Sequence, residues 1–599
     1  MFDEPHHDSS EHLVSNPCPA PGETVTLMVE IPDGAGVSSL AVRTVHDGEA
    51  AWAPGCRAGP GRWEVPLSAH NPVTSYRFWL DGPGGPRWLT GLGVLHHDPT
   101  DHHDFRLLTT GGTPAWVPST VWYQIFPDRF ASSGRHRSHL PEWGWMSQWD
   151  DPVATGRRSM TQLYGGDLDG IAARLGYLRD LGVGGIYLNP VFPARSNHRY
   201  DATSFGAVDP LLGGDEALVR LRRACSDAGL RLISDLTLNH TGSHHEWFTA
   251  AQADPAAAEA NFYYFVDHPD RYASWLDVAS LPKLNHASAE LRQRLYDGPG
   301  SVMARYLGPP FDLDGWRIDV ANMTGRRGPD DHNEVARRSA RRTSDDVDPA
   351  RWLVAEHFFD PSADAGPGSW HGFMNYAGVA RPVASWLGRR ELLALLTGGP
   401  GQVSRDGEAA ARAMDAARSV LPWQTVVGSM ALVTSHDTPR WHSLARSPEL
   451  ARVGLGLVLT LPGAPCLLYG DEVGLTGADA EAARRTMPWD PARWDQPTLD
   501  WYRELIRFRS HSRALAHGGF RWVERAPDAL AFLRRTAGEH LLVRACRAAG
   551  APALRLPAGW EIELVAGDGT AGRDGDELLV DQAGPGFGIW RLSSDPGRN

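Results

Sequence analysis

Lysine is almost absent from this chain of 599 residues: Lys283 is the single lysine among 58 lysines and arginines. So general a replacement reflects base composition. Arginine clusters such as Arg337, Arg338, Arg341 and Arg342 therefore carry no functional weight and read as a solvated helix face. Cysteine is scarce as well. Cys18, Cys56, Cys225, Cys466 and Cys546 are odd in number, scattered and never in a CxxC pair, which argues against a disulfide framework or a zinc site. No apolar run is long enough to span a bilayer. The opening MFDEPHHDSSEH has no basic stretch leading into an apolar one, so a secretory signal is not expected and the cytoplasm is the default address. The net charge of −14 excludes a nucleic-acid or anionic-membrane partner as the expected one.

What is present is an ordinary soluble composition, 42% hydrophobic and 22% charged, long enough for several domains. The 23 tryptophans could stack on sugar rings or fill a core, and their number alone decides neither. Residues 1–115 alternate β-forming runs (TVTLMVEI, GRWEVPL, SYRFWLDG) with Gly/Pro turns, as a β-sandwich does, and 109–119 reads as a linker. Over 116–515, strand-like runs alternate with amphipathic helices. Eight runs stand out: 121–126, 185–190, 231–237, 314–320, 352–357, 372–376, 429–437 and 465–471. That count suits a closed (β/α)8 barrel, with 499–511 as its last helix. The stretch at about 241–287 is too long for an ordinary loop and predicts a small excursion after the third strand. Residues 516–599 turn β-rich again and predict a C-terminal antiparallel domain.

Such barrels place their chemistry at the C-terminal strand ends. There this chain carries Asp235, Asn239 and His240 on the third run, Arg317 and Asp319 on the fourth, Glu356 on the fifth, and His436 with Asp437 on the seventh. Arg317 and Asp319, two apart, share a face. Retaining glycosidases need a carboxylate nucleophile beside a second carboxyl that acts as acid and then base. A neighbouring arginine keeps the nucleophile ionised, which Arg317 is placed to do for Asp319.

The ordered set DLTLNH (235–240), LPKLN (281–285), GWRIDV (315–320), AEH (355–357) and SHDTPR (435–440) resembles the α-amylase superfamily, glycoside hydrolase family 13. QIFPDRF, YGGDL, NHRYD, LPKLN and HDTPR are similar to its neopullulanase, cyclomaltodextrinase and maltogenic amylase branch. The resemblance spans roughly 120–515. It implies Asp319 as nucleophile, Glu356 as acid/base, and Asp437 as the carboxylate gripping the 2- and 3-hydroxyls. It implies that Arg317, His240, His436, Tyr200 and His198 surround the glucosyl unit; Tyr164 reads as core or, from its position before GGD, more readily as cleft lining. Asp235 reads as a structural neighbour, Asp471 and Glu472 as structural, and His357, Trp370 and Trp143 as either packing residues or substrate contacts.

Three departures stand out. Met323 replaces an acidic residue that follows the fourth-strand motif, and His357–Phe358 replaces a Trp–His pair after the glutamate; both bear on acceptor sites. The stretch 131–140, where relatives bind calcium, contains no carboxylate; only Asp167 of that shell is present, so no calcium is expected there and no cofactor is implied. The expected activity is hydrolysis of short or cyclic α-glucans through a covalent intermediate. A transglycosylase or sucrose-type glucosyltransferase on the same site is the alternative, and a non-catalytic binding scaffold a more distant one. The branch also implies an oligosaccharide partner and a homodimer.

Overall fold

Short apolar runs buried on both faces make the central sheet. The computed structural model describes residues 4–136, 140–393, 403–557, 559–575 and 577–594; residues 137–139 of the 131–140 stretch lie outside them. Eight parallel strands follow one another: β1 (Trp122–Ile125), β2 (Gly185–Leu188), β3 (Arg231–Thr237), β4 (Gly315–Asp319), β5 (Trp352–Ala355), β6 (Gly372–Phe373), β7 (Met430–Ala431) and β8 (Ala464–Leu468). They pair in the order β6-β5-β4-β3-β2-β1-β8-β7, and a parallel bridge between Met374 and Met430 closes the ring. The sheet is a (β/α)8 barrel.

The two-residue period of the strands separates two cores. Outward-facing Tyr123, Ile125, Ile186, Leu188, Leu232 and Leu353 pack on the surrounding helices. Inward-facing Trp122, Tyr187, Ile233, Trp352, Val354 and Met430 fill the barrel floor, where Trp122 and Trp352 stack at 4.9 Å. Each such buried aromatic contributes about 2–3 kcal/mol through lost water contact. Further along the same inward faces the residues become Gln124, Asp235, Arg317 and Asp319. The floor thus supports the site directly.

Helices Gly214–Asp227, Asn333–Val347, Pro448–Thr460 and Gln496–His511 lie among those around the ring. Side chains supply several of their starts: Ser447 accepts the Leu450 amide and Asp495 the Thr498 amide. One expectation fails on Asn333–Val347. Arg341, read as part of a solvated face, is buried, pairs with Asp345 at 2.8 Å and donates to the carbonyls of Gly111 and Ser369. It ties the incoming linker to the barrel.

The excursion after β3 holds helix Glu246–Ala253 and a small hairpin of Phe265–Asp267 with Arg271–Tyr272. It returns beside its own start, where Lys283 bridges His240. The N-terminal region is a sandwich: a sheet of Thr24–Glu30, Arg62–Ser68 and Cys56–Gly59 faces a sheet built on Ser39–His46 and Val73–Asp81. Val25, Leu27, Val42, Phe78 and Leu80 meet between them. At the C-terminal end five antiparallel strands (Gly519–Arg525, Ala529–Arg535, His540–Cys546, Gly586–Ser594 and Trp560–Gly567) pack against three more. Among the described residues no helix is long and apolar enough to cross a membrane.

Candidate active site

Arg317 is the hub of the strand ends. Its side chain is fully buried, and its Nη1 donates to Asp235 Oδ1 at 2.9 Å and to Asp319 Oδ1 at 3.0 Å. Its Nη2 lies 2.7 Å from Glu356 Oε1. One guanidinium therefore hydrogen-bonds the carboxylates from β3 and β4 and ion-pairs with that of the residue after β5. The other oxygen of Glu356 accepts the Val320 amide at 2.8 Å. Val320 adopts φ 46°, unusual for a β-branched residue, and this turns the amide towards Glu356.

Burial and mutual repulsion set the titration. Burial, then the Glu356 charge, push the Asp319 carboxyl well above its usual range against the pull of Arg317; burial likewise raises Glu356, with Asp437 and Asp235 adding to it. The pair thus retains a proton to a higher pH than an isolated carboxylic acid would, and loses its protons in two linked steps. Asp437 behaves oppositely. Burial opposes its charge, but His436, Arg484 and Arg317 outweigh it and hold the carboxyl below its usual range.

A second layer of side chains orients the histidines. Gln124 Nε2 contacts His436 Nδ1 at 2.7 Å, leaving Nε2 to meet Asp437 Oδ2 at 3.0 Å and the Tyr200 hydroxyl at 2.9 Å. The Tyr200 ring stacks on His436 at 5.5 Å and 10°, and its hydroxyl donates to Asp235 at 2.7 Å, as does that of Tyr187. Burial pushes His198, His240 and His436 down to about 3, so all three are neutral near pH 7. Arg484 clasps the site from the loop after β8, donating to Asp437 Oδ1 at 2.8 Å and to the His436 carbonyl at 2.9 Å. Asp437 keeps 31% of its side-chain surface exposed, whereas Asp319 keeps 7% and Glu356 8%. The site opens to solvent on the Asp437 side.

Asp319, Glu356, Asp437, Arg317, His240, His436, Tyr200 and His198 converge. Tyr164 does not join them on the cleft surface. It is fully buried, with its hydroxyl bonded to the Asp151 carbonyl and Gln162 and its ring under Arg129 at 4.6 Å, so the expectation of a cleft-lining role is corrected. Trp370 is buried in the barrel core, and His357 turns to Asp364, 3.4 Å away. Asp471 pairs with Arg440 and Glu472 accepts from Tyr123 and Tyr177, both inside the fold. Asp167 caps helix Leu168–Ala172 through Gly170 and accepts from the Ser133 amide and hydroxyl at 3.0 and 2.8 Å. Among the described residues no group of three or more His, Cys, Asp or Glu converges as a metal ion requires. Gln124, Arg484 and Asn189, whose amide donates to the Tyr200 hydroxyl at 2.9 Å, escaped the sequence reading. Gln124 had a detectable signal, since it shares the inward face with Trp122; Arg484 had none in so arginine-rich a chain.

The catalytic domain model of the α-amylase family matches residues 124–351. The chain is 29% identical to a cyclomaltodextrinase of Geobacillus thermopakistaniensis, over 87% of this chain and 86% of that protein. It is 31% identical to an intracellular maltogenic amylase of Bacillus subtilis, over 72% of this chain and 68% of the other. Among solved structures, the ligand-free cyclic α-maltosyl-(1→6)-maltose hydrolase of Arthrobacter globiformis superposes with a TM-score of 0.66 at 27% identity, covering 81% of this chain and all of that one.

Proposed function

The chain belongs to the α-amylase family of glycoside hydrolases, and from that premise we propose that it hydrolyses short or cyclic α-glucans with retention. The observation that carries this is Arg317 holding Asp319 and Glu356 on one guanidinium. Two carboxyls on one guanidinium are close enough to act on one bond, and membership of the α-amylase family supports retention. In this reading Asp319 attacks the anomeric carbon while Glu356 passes its proton to the glycosidic oxygen. The aglycone leaves and a covalent glucosyl–Asp319 ester remains. Glu356, now ionised, takes a proton from water; the resulting hydroxide equivalent attacks the anomeric carbon and frees Asp319. The two carboxyls are both raised by burial and titrate together, and the Arg317 guanidinium between them opposes the rise in each. Asp437, kept ionised by Arg484 and His436, grips the 2- and 3-hydroxyls, and Tyr200 supplies the aromatic platform under the ring.

The named relatives support small or cyclic substrates, and the intracellular relative supports a cytoplasmic address. Exposed Leu276, Val278 and Phe359 on the loops after β3 and β5 support a homodimer that covers them; sedimentation as monomer only would overturn that part. Asp167, already satisfied by Ser133 and Gly170, supports activity without calcium.

The experiment is turnover of β-cyclodextrin, maltotriose, cyclic maltosyl-maltose, pullulan and starch in EDTA, beside Glu356→Gln. Fast ring opening, slow attack on starch and a loss of at least about 1,000-fold in the variant are expected. An intact wild type that cleaves none of the small glucans would sink the substrate reading.

A further inference from the structure

Lys283 is the one position among 58 where lysine stands instead of arginine, and it is 4% exposed. A buried ammonium is costly unless acceptors surround it. Two do: Nζ donates to Asn239 Oδ1 in a close contact and to the Met323 carbonyl at 2.8 Å. Burial, with the Arg327 charge adding to it, brings the ammonium down to about 8, so it remains largely charged at neutral pH.

The consequence runs through two side chains. An ammonium can only donate, so Asn239 must present its oxygen to Lys283 and its NH2 elsewhere. That NH2 meets His240 Nδ1 at 3.1 Å. Nδ1 must then accept, and a neutral imidazole with an accepting Nδ1 carries its proton on Nε2. Nε2 lies 3.9 Å from Asp319 Oδ2, neither atom has a side-chain hydrogen-bond partner among the described residues, and the Tyr200 backbone is a further polar group at the ring. A donor and an acceptor are thus left free to face what binds between them.

We propose that Lys283 is a positioning residue for the reaction: through Asn239 it sets the His240 tautomer, so that Nε2–H points at the nucleophile and its sugar. The reacting-site part rests on the functional reading above. The same device recurs across the cleft, where the Gln124 amide faces His436 Nδ1 and leaves Nε2 for Asp437. Lys283 also secures the turn after β4, since Met323, whose carbonyl it holds, bonds back to Val320, the residue whose amide holds Glu356. The slot between Asn239 and Met323 suits a point donor on a thin stem. A planar five-donor guanidinium does not fit that requirement.

Three variants of the full chain test this. Lys283→Met frees the amide, Lys283→Arg keeps the charge but not the shape, and Asn239→Asp keeps the lysine contact but offers Nδ1 only acceptors. The first readout is the ¹⁵N spectrum of His240 in protein without substrate, assigned by its loss in His240→Gln. Wild type should show a proton-free Nδ1 and a protonated Nε2. Asn239→Asp should reverse or mix the two, and Lys283→Met should mix them. The second readout is kcat, expected to fall about 10- to 100-fold in Lys283→Met and Asn239→Asp, with KM changed far less. The double variant should be little worse than either single, because both changes act on one histidine. Lys283→Arg should not restore the rate. An unchanged His240 spectrum in Lys283→Met, or losses that multiply in the double variant, overturns the proposal. If Lys283→Met does not fold, Asn239→Asp with its lysine intact decides through the same spectrum. If wild type cleaves no α-glucan, the functional reading fails on its own, and the spectrum still decides whether Lys283 sets the tautomer.

Discussion

Arg484 and Asp437 form the pair in this site that is most open to water, and their coupling has a definite sign. In the proposed reaction Asp437 must be ionised to accept two sugar hydroxyls, and Arg484 is one of the groups that keep its carboxyl low. Removing the guanidinium raises that carboxyl. In Arg484→Met the acid side of the kcat/KM profile should therefore move to higher pH, with at least about a tenfold loss at neutral pH. An unshifted acid limb would mean that Asp437 is held by His436 and Arg317 without Arg484. At this scale the carboxylates and Arg317 were legible because their spacing and order have few other uses. Arg484 was not, since arginine at one more loop position stands out from nothing. Tyr164 was misplaced because a motif position does not reveal which side of a loop a ring faces; the cation at Arg129 draws it inward.

Among the elements, the strands bring their neighbours unusually close at glycine. A Cβ on Gly315 would lie 1.9 Å from the Trp352 carbonyl, so β4 and β5 approach through that gap. Gly315→Ala should push apart the two strands that carry Asp319 and Glu356. A loss of about 1–3 kcal/mol or more by denaturant unfolding is expected, with a disproportionate fall in kcat. The loop after β3 is braced by His286, which contacts the Leu238 carbonyl at 2.8 Å and the Tyr296 hydroxyl at 2.9 Å. Burial holds this ring down at about 3. Below pH 6.5 the unfolded chain binds a proton there that the fold refuses, so stability falls as pH drops from about 6.5 towards 3. The gap in unfolding free energy between wild type and His286→Gln should narrow by about 2 kcal/mol from pH 7 to pH 5. A constant gap would show that the ring is not kept neutral.

The same scale explains what the pattern overstates. The runs 372–376 and 429–437 read as full strands, yet β6 and β7 are two residues each. Their ends leave the sheet early: Tyr376–Ala380 winds into a wide helical turn, and Ser435–Thr438 folds back on itself. Hydrophobicity marks such residues as buried but not as extended. The longer β3 and the apolar β8 were read well because both faces are covered by the fold.

Across the whole molecule, the N-terminal segment binds the two β domains together. Glu30, on the first sheet, pairs with Arg521 at 2.9 Å and Arg535 at 2.7 Å in the C-terminal domain, and Asp8 accepts the Phe520 amide at 2.7 Å. Glu30→Gln should cost about 1–2 kcal/mol, discounted for its partial exposure, and lower Tm without altering kcat. A parallel fall in kcat would mean that this junction communicates with the barrel.

The solitary buried lysine has a last consequence. The folded surface offers no side-chain amine to an acylating reagent, although this chain is as charged as most. A reagent specific for primary amines would reach Lys283 only when the loops after β3 and β4 part. Release from burial would return the freed ammonium to its ordinary, higher range, so the labelling is run at alkaline pH. Mass added at Lys283 over time is therefore a stopwatch for the opening of the catalytic centre, started and read without a mutation or a dye.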